Sequence, residues 1–126
     1  MPSVQTTKAE GSRFLSAYTV DKSTAWEASR VVSTSNSIFY SAALSNKGSS
    51  NLYLMVFDAS SLPANGTVPT MPPLLVGTTG TRSISNIPLP DKFSTGIVVA
   101  ASTTQESLTV STGTDCFFYV QYQAIS

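Results

Sequence analysis

Histidine is absent from the 126 residues, cysteine occurs once, at Cys116, and tryptophan once, at Trp26. Without histidine there is no Ser/His or Cys/His dyad and no ordinary zinc ligand set. One cysteine allows no intrachain disulfide and no CxxC pair. Charge is scarce too: 11% of residues are charged, against about 25% in a typical soluble domain. The seven basic residues, Lys8, Arg13, Lys22, Arg30, Lys47, Arg82 and Lys92, are scattered and balanced by seven acidic ones. That leaves no basic stripe for a nucleic acid. No apolar run approaches the roughly 18 residues of a membrane span. The first ten residues hold no apolar h-region, so no secretory signal is expected. Nucleic acid and membrane are therefore not expected as partners.

What the chain does have is apolar residues at 41%, an ordinary globular share, and Ser plus Thr at roughly three residues in ten. A chain of this length fits one domain, commonly about 100–150 residues, and buries a core without disulfide staples. Its surface is polar yet nearly uncharged, which suits packing against other protein surfaces because few charges need desolvating there. Zero net charge offers little colloidal repulsion, as befits a subunit that assembles.

Residues 1–12 read as a polar arm. Within residues 1–35, Phe14–Val20 is a candidate leading strand; Asp21–Val32 reads either as a short helix capped by Ser23 or Thr24 with Glu27 or as a strand over Trp26–Val32, and the strand is the preferred reading. From residue 36 the two-residue period is clear. In Ser37–Ser45 it places Ile38, Tyr40, Ala42 and Leu44 on one face and Phe39 on the other. Leu52–Phe57 follows a turn-rich connection, and the two runs are expected to pair as a hairpin. Residues 59–73, with four prolines and Asn65-Gly66, form a surface crossover, because proline removes ladder donors. Leu74–Val76, Thr81–Ile87, Ile97–Ala101, Ser107–Val110 and Cys116–Gln123 complete a set of short strands. Their spacing predicts an all-β domain over 36–126, an antiparallel β-sandwich or jelly-roll-like barrel.

No residue set points to catalysis. The carboxylates Glu10, Asp21, Glu27, Asp58, Asp91, Glu106 and Asp115 are dispersed, and no spacing demands the facing pair a glycosidase needs. Gly77-Thr-Thr-Gly80 leads into no helix with Lys-Ser/Thr and is not a phosphate loop. No cofactor is implied. A hard-ion site stays open at turns such as Asp58–Asn65, but none is expected to be needed for folding. Cys116 precedes Phe117-Phe118-Tyr119 and is expected to pack as a small apolar side chain. Leu52–Phe57 is apolar on both faces. One face lines the core. The other, with Tyr53, Met55 and Phe57, is either covered by a loop or forms an interface; Phe117 and Tyr119 raise the same question. Trp26, in the polar run Lys22-Ser-Thr-Ala-Trp-Glu27, is the candidate for stacking on a sugar, although a lone Trp is more often core or interface.

Three runs together carry a family resemblance: Leu52-Tyr-Leu-Met-Val-Phe-Asp-Ala59, then Leu62-Pro-Ala-Asn-Gly66, and Phe93-Ser-Thr-Gly-Ile-Val-Val-Ala-Ala-Ser-Thr-Thr104. This order resembles a family of small structural proteins of tailed bacteriophages, over roughly residues 36–122. The resemblance implies a non-enzymatic virion protein, made in the host cytoplasm. It would serve as a capsid decoration or cement protein or a head-fibre subunit. Its expected partners are copies of itself, as a trimer or higher homo-oligomer, and virion proteins such as the major capsid protein. A tail-associated glycan-binding adhesion module and a neck or tail-tube component are the alternatives. An N-terminal arm, residues 1–12, would anchor on a partner.

Overall fold

The computed structural model describes residues 18–85 and 91–125. The expected arm over 1–12, the start of the strand at Phe14 and the end of the strand at Ile87 lie outside the described residues. The described strands are β1 (Thr19–Lys22), β2 (Ser29–Ser33), β3 (Ser37–Asn46), β4 (Leu52–Phe57), β5 (Leu74–Val76), β6 (Thr81–Ser85), β7 (Asp91–Phe93), β8 (Ile97–Ser102) and β9 (Cys116–Ala124). There is no helix among the described residues.

The registers explain the architecture. β1 pairs antiparallel with β9, β2 with β8, β3 with β6 and β7, and β4 with β5. The first half of the chain thus pairs with the second as one long hairpin whose tip is the 58–73 connection. Rolling that ribbon up adds two more pairings, β3 with β9 and β4 with β8. The outcome is two antiparallel sheets, β1-β9-β3-β6 with β7 beside β3, and β2-β8-β4-β5. This is the jelly-roll form of the β-sandwich.

Between the sheets lies one core, in which Phe39, Leu44, Leu54, Val56, Phe93, Ile97, Val99, Phe118 and Val120 are fully enclosed. The rings of Phe39 and Phe93 stand 5.4 Å apart at its centre. Strict alternation puts Phe39 on the face of β3 opposite Ala42 and Leu44. The register with β9 slips between Phe39 and Ser41, so Tyr40 is an extra residue in β3, a bulge that reverses the alternation. Phe39 therefore joins Ala42 and Leu44 in the core, while Ile38 faces outward only half-buried.

The expected β3–β4 hairpin does not form; the two strands belong to opposite sheets. Asn46 directs the chain across. Its Nδ2 donates to the Ser50 carbonyl at 2.8 Å and its Oδ1 accepts from Gly48 N at 2.9 Å. Its own backbone N–H donates to Gly80 O at 2.8 Å.

The second sheet is sealed on its outer side by the chain itself. Ser107–Val110, expected as a strand, makes a single bridge, Val110 to Ser102. It folds back as a loop that presses Leu108 onto Met55, Phe57, Val98 and Ala100. The crossover locks it there: Leu108 N donates to Thr67 O at 2.8 Å, and Gly66 N to Leu108 O at 2.7 Å. Asn65 Oδ1 accepts from Val110 N at 3.0 Å. All of β8 is buried in consequence, one side in each apolar cluster.

Two of the sequence runs that carry the family resemblance meet in space. The Asp58 carboxylate accepts from the backbone of Ser94 (3.1 Å), Thr95 (2.8 Å) and Gly96 (3.3 Å), and from Ser94 Oγ (3.4 Å). Gly96 is required there. Its φ is +157°, and a Cβ would stand 2.3 Å from Ser33 O and 2.6 Å from Ala59 O. Phe57 and Phe93, which flank the contact, pack in the outer and inner clusters. The motif residues act as one lock between β4 and the turn into β8.

Candidate functional site on the open sheet face

Among the described residues, none covers the outer side of β1-β9-β3-β6 in this way. Residues opposite one another in an antiparallel pair share a face, so the registers arrange this surface in rows. One row is Val20, Gln121, Ser41 and Ser85; the next is Lys22, Tyr119, Ala43 and Ser83; the next is Phe117, Ser45 and Thr81. Val20 and Tyr119 are each 40% exposed. Lys22 is the charged side chain in these rows. Tyr18 lies beside this face, its ring edge-on to Tyr40 at 6.4 Å. Ser41 Oγ donates to Gln121 Oε1 at 2.6 Å, and the Ser45 and Thr81 hydroxyls pair at 2.8 Å.

The candidate residues separate on this frame. Met55 and Phe57 are buried beneath Leu108 and the crossover, so they serve the chain's own packing and offer no surface to a second molecule. The covering loop, not an interface, accounts for the second apolar face of β4. Tyr53 is half-buried at the uncovered end of the same sheet face, paired with the exposed Leu75. Phe117 and Tyr119 lie on the open face of the first sheet. Tyr18, Val20 and Lys22 join them there. The sequence places Tyr18 and Val20 on one side of a leading strand, but only the β1–β9 pairing brings them and Lys22 to the face of Tyr119.

Trp26 lies at one end of the open face. The 23–27 stretch continues beside β9 through backbone bonds from Ser23 N to Phe118 O (2.9 Å) and from Glu27 N to Cys116 O (2.8 Å). The indole is 40% exposed, meets Phe117 edge-to-face at 5.9 Å, and carries Lys47 Nζ 4.5 Å from its centroid. With the turn at Thr79 and Gly80 it borders a shallow cleft of about 320 Å³.

Asp21, Glu27, Arg30, Asp58 and Cys116 serve the fold. Arg30 reaches Asp21 through Nε at 2.7 Å and Nη2 at 3.3 Å, and Glu27 through Nη1 at 3.2 Å. Glu27 also accepts from Ser23 Oγ at 2.6 Å. The group clasps β1 to β2 across the sandwich edge. The hydrogen bond to Asp21 is the main reason the guanidinium pKa is raised, with partial burial acting against it. The Cys116 thiol is pushed up to about 11 by burial and by the negative charge of Asp115, which makes it a poor nucleophile at neutral pH. Asp58 spends its oxygens on the 94–96 backbone. Among the described residues, no three His, Cys, Asp or Glu side chains cluster as metal ligands.

No known family's sequence pattern matches the chain, and no curated protein matches it. Among solved structures it is similar to the coat protein of Tobacco streak virus, at 11% identity over 86% of each chain, with a TM-score of 0.40. A likeness of that size carries no argument about role.

Proposed function

We propose that this protein is a non-enzymatic structural subunit of a tailed-phage virion, a capsid decoration or head-fibre protein that self-assembles through the open face of its first sheet. The observation that carries the reading is the asymmetry between the two sheets. One outer face is sealed by the chain's own loops. The other presents Val20, Tyr119, Phe117 and hydroxyl side chains with few charges to desolvate. Aromatic-rich surfaces of that kind are favoured at interface centres. The low overall charge and the phage-family resemblance of residues 36–122 point the same way. The jelly roll recurs in capsid domains, but also in lectins and cupins, so it adds support only by analogy. The mechanism would be passive packing against neighbouring copies and against the major capsid protein.

Sedimentation velocity on the wild type and Tyr119→Glu tests this. The wild type is expected to sediment as an oligomer. The variant is expected to be monomeric with an unchanged far-UV spectrum, because an unpaired charge buried at an interface costs several kcal/mol. An oligomer unaffected by Tyr119→Glu would move the interface elsewhere. A wild type that stays monomeric and does not pellet with particles would overturn the reading.

A further inference from the structure

We propose that the cleft bounded by Trp26, Lys47 and Thr79 is a binding site for a carboxylated saccharide, with the sugar ring against the indole and its carboxylate at Lys47 Nζ. The cleft lies at the end of the open face and shares Ser45 and Thr81 with its third row, but it does not include Val20 or Tyr119, and the inference does not rest on the assembly reading.

Three separate segments build the cleft: the 23–27 stretch, the end of β3 with the turn after it, and the Gly77–Gly80 turn with the start of β6. Each contributes a different chemistry. Trp26 supplies the platform. Its edge-to-face contact with Phe117 fixes the indole, yet the ring keeps 40% of its surface exposed. A large exposed aromatic surface held in one orientation loses little freedom when a ligand covers it. Lys47 supplies the charge. Its ammonium rests over the ring, and among the described residues no carboxylate is within ion-pair distance of it. An exposed cation–π contact is weak, so the flexible stem can deliver the ammonium to an incoming anion. Ser45 and Thr81 supply hydroxyls. Paired at 2.8 Å, they share one hydrogen and keep further donor and acceptor capacity for a ligand.

Thr79 is the fourth observation. The turn is closed by Gly80 N donating to Gly77 O at 3.1 Å, and Thr79 occupies its third position with φ +58°. A β-branched residue is rarely found there, and strain of this kind collects at functional sites. Here it sets Thr79 on the wall of the cleft, where glycine would fit the backbone better.

The combination selects the ligand class. The volume of about 320 Å³ is at the low end of ligand sites and suits one ring. One ammonium beside several hydroxyls matches a monoanion that itself bears hydroxyls. A phosphate ester is usually met by several cations or a cradle of backbone N–H groups, whereas the described lining of this cleft offers one cation, Lys47.

Trp26 is the sole tryptophan among five tyrosines, so fluorescence excited at the red edge, where tyrosine does not absorb, reports on the indole of this site. Titration with sodium glucuronate is expected to give a saturable change. Glucose and sodium acetate, each carrying half of the recognised chemistry, are expected to bind about tenfold more weakly or not at all, the scale of one charge-assisted hydrogen bond. Lys47→Gln is expected to remove the preference for glucuronate over glucose while leaving the far-UV spectrum unchanged. A hyaluronan tetrasaccharide compared with free glucuronate separates the two sources of the group: tighter binding marks a polymer, equal binding a free sugar acid. The proposal is overturned by no saturable response to either saccharide, by an equal response to acetate, which means adventitious ion binding only, or by tighter binding of adenosine monophosphate.

Discussion

Removing the Asp58 carboxylate should loosen the join between β4 and the turn that leads into β8. Of its four contacts, the bond from Thr95 N at 2.8 Å is short and that from Ser94 N at 3.1 Å ordinary. Those from Gly96 N at 3.3 Å and Ser94 Oγ at 3.4 Å are long. Hydrogen bonds to a charged group are each worth about 1.5–3 kcal/mol when fully sheltered. Asp58 is only half-buried, and water can take over part of each bond. The nearest analogue is a helix N-cap, where truncation to Ala costs about 0.5–2 kcal/mol. Asp58→Ala is therefore expected to cost about 2 kcal/mol. For a domain of this size that lowers Tm by about 6–10 °C, and the urea midpoint by about 1 M at an m-value near 2 kcal/mol/M. The backbone bond from Asp58 N to Thr70 Oγ1, 2.8 Å, survives in the variant, so the loss reports on the carboxylate. Asp58→Asn keeps one acceptor oxygen but turns an NH₂ toward a donor, and should lose about half as much. Urea unfolding followed by circular dichroism decides. A midpoint for Asp58→Ala within about 0.2 M of wild type would refute the reasoning: the turn would then hold itself and the carboxylate would be a bystander.

Met55→Glu places an unpaired carboxylate beneath Leu108 and is expected to destabilise the fold by several kcal/mol, read as loss of the far-UV spectrum or a collapsed urea midpoint; a folded variant that merely failed to oligomerise would return Met55 to an interface. Cys116 links stability to alkaline pH. Its thiol titrates near 11 when folded, against an ordinary 9.0, so the neutral form favours the folded state. That contribution is whole below about pH 9 and is lost as pH rises through about 11. Urea midpoints measured across this range should fall more steeply for wild type than for Cys116→Ala. Parallel curves would remove the thiol from the pH dependence.

The all-β class was legible because alternation and turn residues act locally. β5 was placed at Leu74–Val76, and the crossover over 59–73 followed from proline chemistry alone. The phase of β3 was not legible. The Tyr40 bulge answers to the partner strand β9, some 80 residues away, and nothing near Tyr40 marks it. The hairpin expected between β3 and β4 failed for a related reason: sheet membership depends on which far strand pairs, not on the turn between neighbours. The double apolar face of β4 was visible, but its cover was not, since the decisive side chain is a single leucine, Leu108, held by backbone bonds to Thr67 and Gly66. For the candidate site, the polar surroundings of Trp26 signalled its exposure. Lys47 and Thr79 join it only because β3 lies between β9 and β6.

The position of β9 has a consequence for biosynthesis. It is the last strand of the described chain, yet it sits between β1 and β3. A ribosome delivers the chain from the N-terminus, so β1 and β3 must wait with a vacant slot between them until Cys116–Ala124 has emerged. The same strand carries Phe117 and Tyr119, the aromatic centre of the open face. An unfinished chain therefore lacks a closed first sheet. On the assembly proposed above it would also lack the surface through which subunits join, because β9 both fills that slot and carries the aromatic side chains of the face.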